Sequence, residues 1–62
     1  MRTKKIIHKI TEIYNVIEYQ QTDDGSITDV YFKVSYMEDN EYDVTFASLE
    51  DAISYINELT FK

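Results

Sequence analysis

One glycine interrupts this chain, and it follows an aspartate: Asp24-Gly25 stands between the β-rich runs "YNVIEYQQ" and "SITDVYFKVSY". A primed two-residue turn needs positive φ at its centre, which Gly adopts at no steric cost and Asp tolerates better than most residues. The pair therefore predicts a tight hairpin joining a strand over Tyr14–Gln21 to one over Thr28–Tyr36. Along the second run Thr28, Val30, Phe32, Val34 and Tyr36 alternate with Asp29, Tyr31, Lys33 and Ser35, the period of a strand buried on one face. Tyr42, Val44 and Phe46 alternate with Glu41, Asp43 and Thr45 in the same way, so a third strand is expected after a turn around Met37–Asn40.

Two helices are expected to flank these strands. Ile6, Ile7, Ile10 and Ile13 fall at i, i+1, i+4 and i+7, an apolar stripe for a first helix over about Thr3–Ile13. Lys4 and Lys5 in its first turn oppose the helix dipole, which leaves that helix dependent on packing. At the other end Ser48 is a good N-cap, and Glu50 and Asp51 suit a first turn. Leu49, Ala52, Ile53, Ile56 and Leu59 make the buried stripe of that helix. The expected fold class is α+β with the order α-β-β-β-α: a three-stranded antiparallel meander whose apolar face (Val30, Phe32, Val34, Tyr42, Val44, Phe46) is covered by both helices. Asp29, Tyr31, Lys33, Glu41 and Asp43 would then line the opposite face.

With 62 residues, no Pro, no Cys and no repeat, the chain reads as one domain over residues 1–62, without disulfides or thiolate metal sites. Its start, "MRTKKIIHK", lacks the apolar region of a signal peptide, and no apolar run approaches the ~20 residues of a membrane span. A cytoplasmic protein is expected. Charge is more informative. Twelve acids face six Lys and Arg, a net −6, and Arg2, Lys4, Lys5 and Lys9 all lie at the start. From Ile10 to Phe61 the single base is Lys33. Such a surface repels nucleic acid and anionic lipid and attracts basic partners.

Catalytic parts are missing from the pattern. There is one His, no Gly-rich phosphate loop and no nucleophile motif, so neither a catalytic site nor a cofactor is expected. His8 reads as a solvated helix residue. Asp39, Glu41, Asp43 and Glu50 occupy positions 1, 3, 5 and 12 of a calcium-loop window, but position 6, where such a loop requires Gly, is Val44 in an expected strand; no metal site follows. The carboxylates of "MEDNEYDVTF" serve at least to keep a turn and strand edge soluble. Their near-single sign, with Tyr31 on the polar face, marks them as a candidate contact surface, since Tyr is enriched at binding hot spots.

The stretch "TDDGSITDVYFKV", a short turn, "NEYDV" and an acidic helix start resemble the central hairpin of a small prophage-encoded anti-CRISPR family that inhibits the type II CRISPR effector nuclease. The resemblance covers about Thr22–Val44, and the helix, three strands, helix order is similar too. It implies a DNA mimic that docks on the guide-loaded nuclease where the protospacer-adjacent motif would bind. Loop carboxylates and amides would there engage the arginines that read the motif, as Arg forks pair with carboxylates. Carried onto this sequence, the matching loop positions are Glu38, Asp39, Asn40 and Glu41, with Tyr42 turned inward; the charge pattern and the polar face add Asp43, Tyr31 and Asp29 as candidate contacts. Asp39 replaces a Gly of the family, the loop is one residue longer, and the family's further acidic helix has no counterpart after Lys62. The expected partner is a basic nucleic-acid-binding protein, with no direct contact to nucleic acid or membrane. Two alternatives stay open: a mimic that inhibits a restriction or repair enzyme, and a small homo-oligomeric interaction module joined through a sheet edge or the Tyr31 face.

Overall fold

The computed structural model describes residues 2–37 and 40–60. Four strands precede one helix: β1 (Arg2–Lys9), β2 (Tyr14–Asp23), β3 (Ser26–Tyr36), β4 (Asn40–Phe46) and α1 (Leu49–Thr60). The strands form one antiparallel sheet in the order β1-β2-β3-β4, each beside its neighbour in sequence.

The hairpin at Asp24-Gly25 is present as expected. Asp24 has φ 51° and Gly25 φ 82°, the paired positive values of a type I′ turn, and Asp23 stands opposite Ser26. A register shift between Gln21 and Thr22 follows within the arm. Met37 also takes positive φ, 52°, as the chain leaves β3.

The N-terminal helix is not formed, and the α-β-β-β-α order with three strands is corrected to four strands and one C-terminal helix. Residues 2–9 are a strand, paired with β2 from Arg2↔Thr22 to Lys9↔Asn15. The apparent helical stripe mixes two sides of this strand. Ile6 stands opposite Glu18 and Ile7 opposite Ile17, on opposite faces of the sheet, and Ile7 remains 67% exposed. The balance of forces favours the strand: Ile is β-branched and loses side-chain freedom in a helix, and the basic first turn opposes a helix dipole. The same lysines suit an exposed sheet edge, where charge discourages unwanted pairing. Residues 10–13 connect β1 to β2, held by Thr11: its Oγ accepts from the Tyr14 amide at 2.9 Å and its own amide donates to the Tyr14 carbonyl at 3.0 Å.

Helix α1 covers one face of β2, β3 and β4. Ser48 caps it, its Oγ accepting from the Asp51 amide at 3.2 Å, and Glu50 and Asp51 occupy the first turn as expected. The core beneath it comprises Val16, Phe32, Val34, Ala52 and Ile56, with Val30, Tyr42, Phe46, Leu49 and Tyr55 packed around them. Tyr55 joins the helix to β4 through rings of Tyr42 (centroids 5.9 Å apart, edge-on) and Phe46 (5.4 Å). Val44, expected inside, is 43% exposed. The register explains it: Ser35 pairs with Glu41 and Lys33 with Thr45, so Tyr42, Asp43 and Val44 all stand opposite the single residue Val34. This bulge turns Val44 outward.

Candidate functional site

The expected contact residues come from β3 and β4. Glu38 and Asp39 lie outside the described residues. Asn40, Glu41, Asp43 and Asp29 are exposed, and Tyr31 is half-buried. Alternation along β4 divides them: Glu41, opposite Ser35, lies on the face away from α1, and Asn40, opposite Tyr36, lies on the side that α1 covers. Asp43 lies within the bulge opposite Val34 and is exposed. Asp29 shares the open face but is six residues along β3 from Ser35, roughly 20 Å from the Glu41 row at ~3.4 Å per residue. The structure thus joins Glu41 and Tyr31 on one face, leaves Asp43 exposed in the adjacent bulge, and sets Asp29 apart.

Sequence reasoning missed what anchors Glu41. Tyr19, on β2, is only 7% exposed although among the described residues no helix covers its face, and its hydroxyl donates to Glu41 Oε1. Tyr31 stacks on it, ring centroids 5.0 Å apart and planes within 13°, and Lys5 Nζ lies 5.3 Å from the Tyr19 centroid on the far side of the row. The register produces this, since Lys5, Tyr19 and Tyr31 are direct partners across β1, β2 and β3. Cross-strand stacking and a cation over a ring each add to the strand pairing. Burial and the bond to Glu41 push the Tyr19 hydroxyl up to about 12, so the phenol stays a donor. Glu41 is thereby fixed by Tyr19, whose ring is itself packed between Lys5 and Tyr31. The available signal was the period-2 run Ile17, Tyr19, Gln21; it becomes readable only once β1 is known to be a strand.

On the covered side near β1 lies a second polar group. His8 Nε2 donates to Glu18 Oε1 at 3.0 Å, and Gln20 donates to the other carboxylate oxygen. These hydrogen bonds, Gln20's first and His8's second, hold the Glu18 carboxyl below its ordinary range. His8 is therefore a cross-strand partner of Glu18, not a solvated helix residue. Among the described residues no three His, Asp or Glu side chains are grouped to hold a metal ion, and no helix is long and apolar enough to cross a membrane.

The topology also sorts charge. Arg2, Lys4, Lys5, His8 and Lys9 belong to β1 at one edge of the sheet. From Asn40 to Thr60, through β4 at the other edge and α1 over one face of the sheet, the chain carries Glu41, Asp43, Glu50, Asp51 and Glu58 and no base. On this acidic side a groove of about 370 Å³ runs between β4 and α1, lined by Phe46, Tyr55, Asp51 and Glu58 among others. Aromatic faces beside carboxylates form a setting that accepts a guanidinium or ammonium group.

No protein-family model, curated protein or solved structure matches this chain.

Proposed function

We propose that this protein is a non-catalytic, acidic decoy that occupies the basic nucleic-acid-binding cleft of another protein, with a guide-loaded type II CRISPR effector nuclease as the first target. Such a decoy would act in the cytoplasm of an infected or lysogenic bacterium. The observation that carries the proposal is the segregation of charge across the sheet, with Arg2, Lys4, Lys5 and Lys9 on β1 and, among the described residues of β4 and α1, acids alone, Lys33 of β3 being the one base paired alongside β4. A cleft built to hold phosphates is lined with Arg and Lys, and carboxylates satisfy the same donors. Tyr19 adds preorganisation, because a Glu41 already fixed loses less side-chain freedom on binding. The groove beside Tyr55 supplies a place for an arginine of the partner. Support from the resemblance rests on the hairpin and loop residues, because the shared helix-first order is absent here.

The test is a gel-shift of target DNA with guide-loaded type II effectors of several subtypes, run beside a cleavage assay at low and moderate salt. The proposal expects loss of DNA binding together with cleavage, weakening as salt rises. Loss of cleavage alone would move the contact away from the DNA-reading cleft. A restriction and repair enzyme panel extends the assay, and full activity of every enzyme tested would overturn the decoy reading.

A further inference from the structure

Both edges of the sheet are free along their outer sides: among the described residues β1 pairs only with β2 and β4 only with β3. The two edges are of matching length, 8 and 7 residues. They are opposite in charge, β1 carrying Arg2, Lys4, Lys5 and Lys9 with no acid, and β4 carrying Glu41 and Asp43 with no base. They are also opposite in direction, because three successive antiparallel pairings separate them. A second copy shifted sideways across the sheet therefore brings its β4 alongside β1 in antiparallel sense, and the meander continues from one molecule into the next.

We propose that a second copy of this chain is the occupant of the β1 edge, joined head to tail through the β4 edge of its neighbour. The symmetric alternatives are electrostatically wrong. Two-fold pairing of β1 with β1 sets Arg2, Lys4, Lys5 and Lys9 against themselves, and pairing of β4 with β4 does the same for Glu41 and Asp43; like charges across strands repel. Only the heterologous contact matches base to acid, and such contacts close into rings or grow as chains. The bulge opposite Val34 interrupts the outer ladder of β4, so the contact relies on charge and dissociates with salt. Assembly covers the Glu41 and Asp43 edge and competes with any basic partner for it. It goes beyond the decoy reading, and its test needs no partner.

Sedimentation velocity on the full chain tests it. For the wild type the average mass is expected to rise above the 7.4 kDa of the monomer as concentration increases, and to fall back between about 20 mM and about 500 mM salt as screening shortens. Lys4→Glu/Lys5→Glu/Lys9→Glu leaves β1 three acids against the one base Arg2, so both of its edges are acidic, and Glu41→Lys/Asp43→Lys has two basic ones. Each is expected to be monomeric alone, and their equimolar mixture to assemble, since every β1–β4 contact in it again pairs base with acid. If Glu41→Lys disturbs the fold by releasing Tyr19, Asp43→Lys/Thr45→Lys replaces it. A wild type that stays monomeric throughout, a folded mixture that does not assemble, or a single variant that associates as strongly as the wild type would each overturn the proposal.

Discussion

The two faces of the sheet are held by different physics. Under α1 lies a conventional apolar core, with Val16, Val34, Ala52 and Ile56 fully excluded from water. Among the described residues no element covers the other face, yet Ile17 and Tyr19 are as little as 7% exposed. There the shielding comes from neighbours within the sheet: Ile7 and Lys33 beside Ile17, Lys5 and Tyr31 beside Tyr19. The apolar face supplies most of the free energy of folding, because burial scales with area. The open face supplies order: a stacked aromatic pair and one hydrogen bond that fix a carboxylate at the acidic edge.

Truncation in the core is the largest expected effect. Ile56→Ala should cost about 2–5 kcal/mol, comparable with the roughly 3–5 kcal/mol that a core of this size supplies. Circular dichroism should then show a chain largely unfolded at room temperature. A well-folded Ile56→Ala protein would break the contrast, because the covered face would no longer dominate.

Tyr19→Phe should cost about 1 kcal/mol, the ordinary net worth of a hydrogen bond, seen as a lower urea midpoint with an unchanged slope. It should also change the alkaline limb. The Tyr19 hydroxyl is raised from 10 to about 12 in the folded protein. The folded state therefore keeps a proton that the unfolded state loses. Its contribution is complete below pH 10 and is lost as pH rises towards 12. Tyr19→Phe should flatten that part of the stability profile, and an unchanged limb would show that neither burial nor the bond to Glu41 raises the Tyr19 hydroxyl.

A smaller effect is expected at acid pH from Glu18. Its folded value lies below the usual 4.5, so its contribution is present above 4.5 and is lost as pH falls below that value. Glu18→Gln should remove this acid-side slope and leave the alkaline limb of Tyr19 untouched. The two limbs are separable because the residues sit on opposite faces.

Much of the covered face was legible in the sequence. Asp24-Gly25 determines its own turn, the alternation of Thr28–Tyr36 has one interpretation, and Ser48 with Glu50 and Asp51 marks a helix start by local chemistry. β1 was not legible for a physical reason. Ile6, Ile7, Ile10 and Ile13 satisfy a helical period by chance, and a strand whose outer side is open shows no clean alternation. The lysines that conflicted with a helix dipole were the residue-level sign of an edge strand. The candidate site was legible as composition but not as geometry. The acids of β4 are evident in the sequence, whereas the Tyr19 anchor depends on a register that β1 and β3 impose together.

The most direct measurement of the division between a stabilising face and a binding edge pairs affinity with stability for Asp43→Lys. Asp43 is exposed on β4, so its reversal tests charge at the acidic edge without opening the core. Affinity for a guide-loaded type II effector, read by fluorescence anisotropy, should fall at least tenfold while the melting curve stays within a few degrees of the wild type. Unchanged affinity with an unchanged melt would contradict the account, because the acidic edge of β4 would then not be the surface that meets the partner.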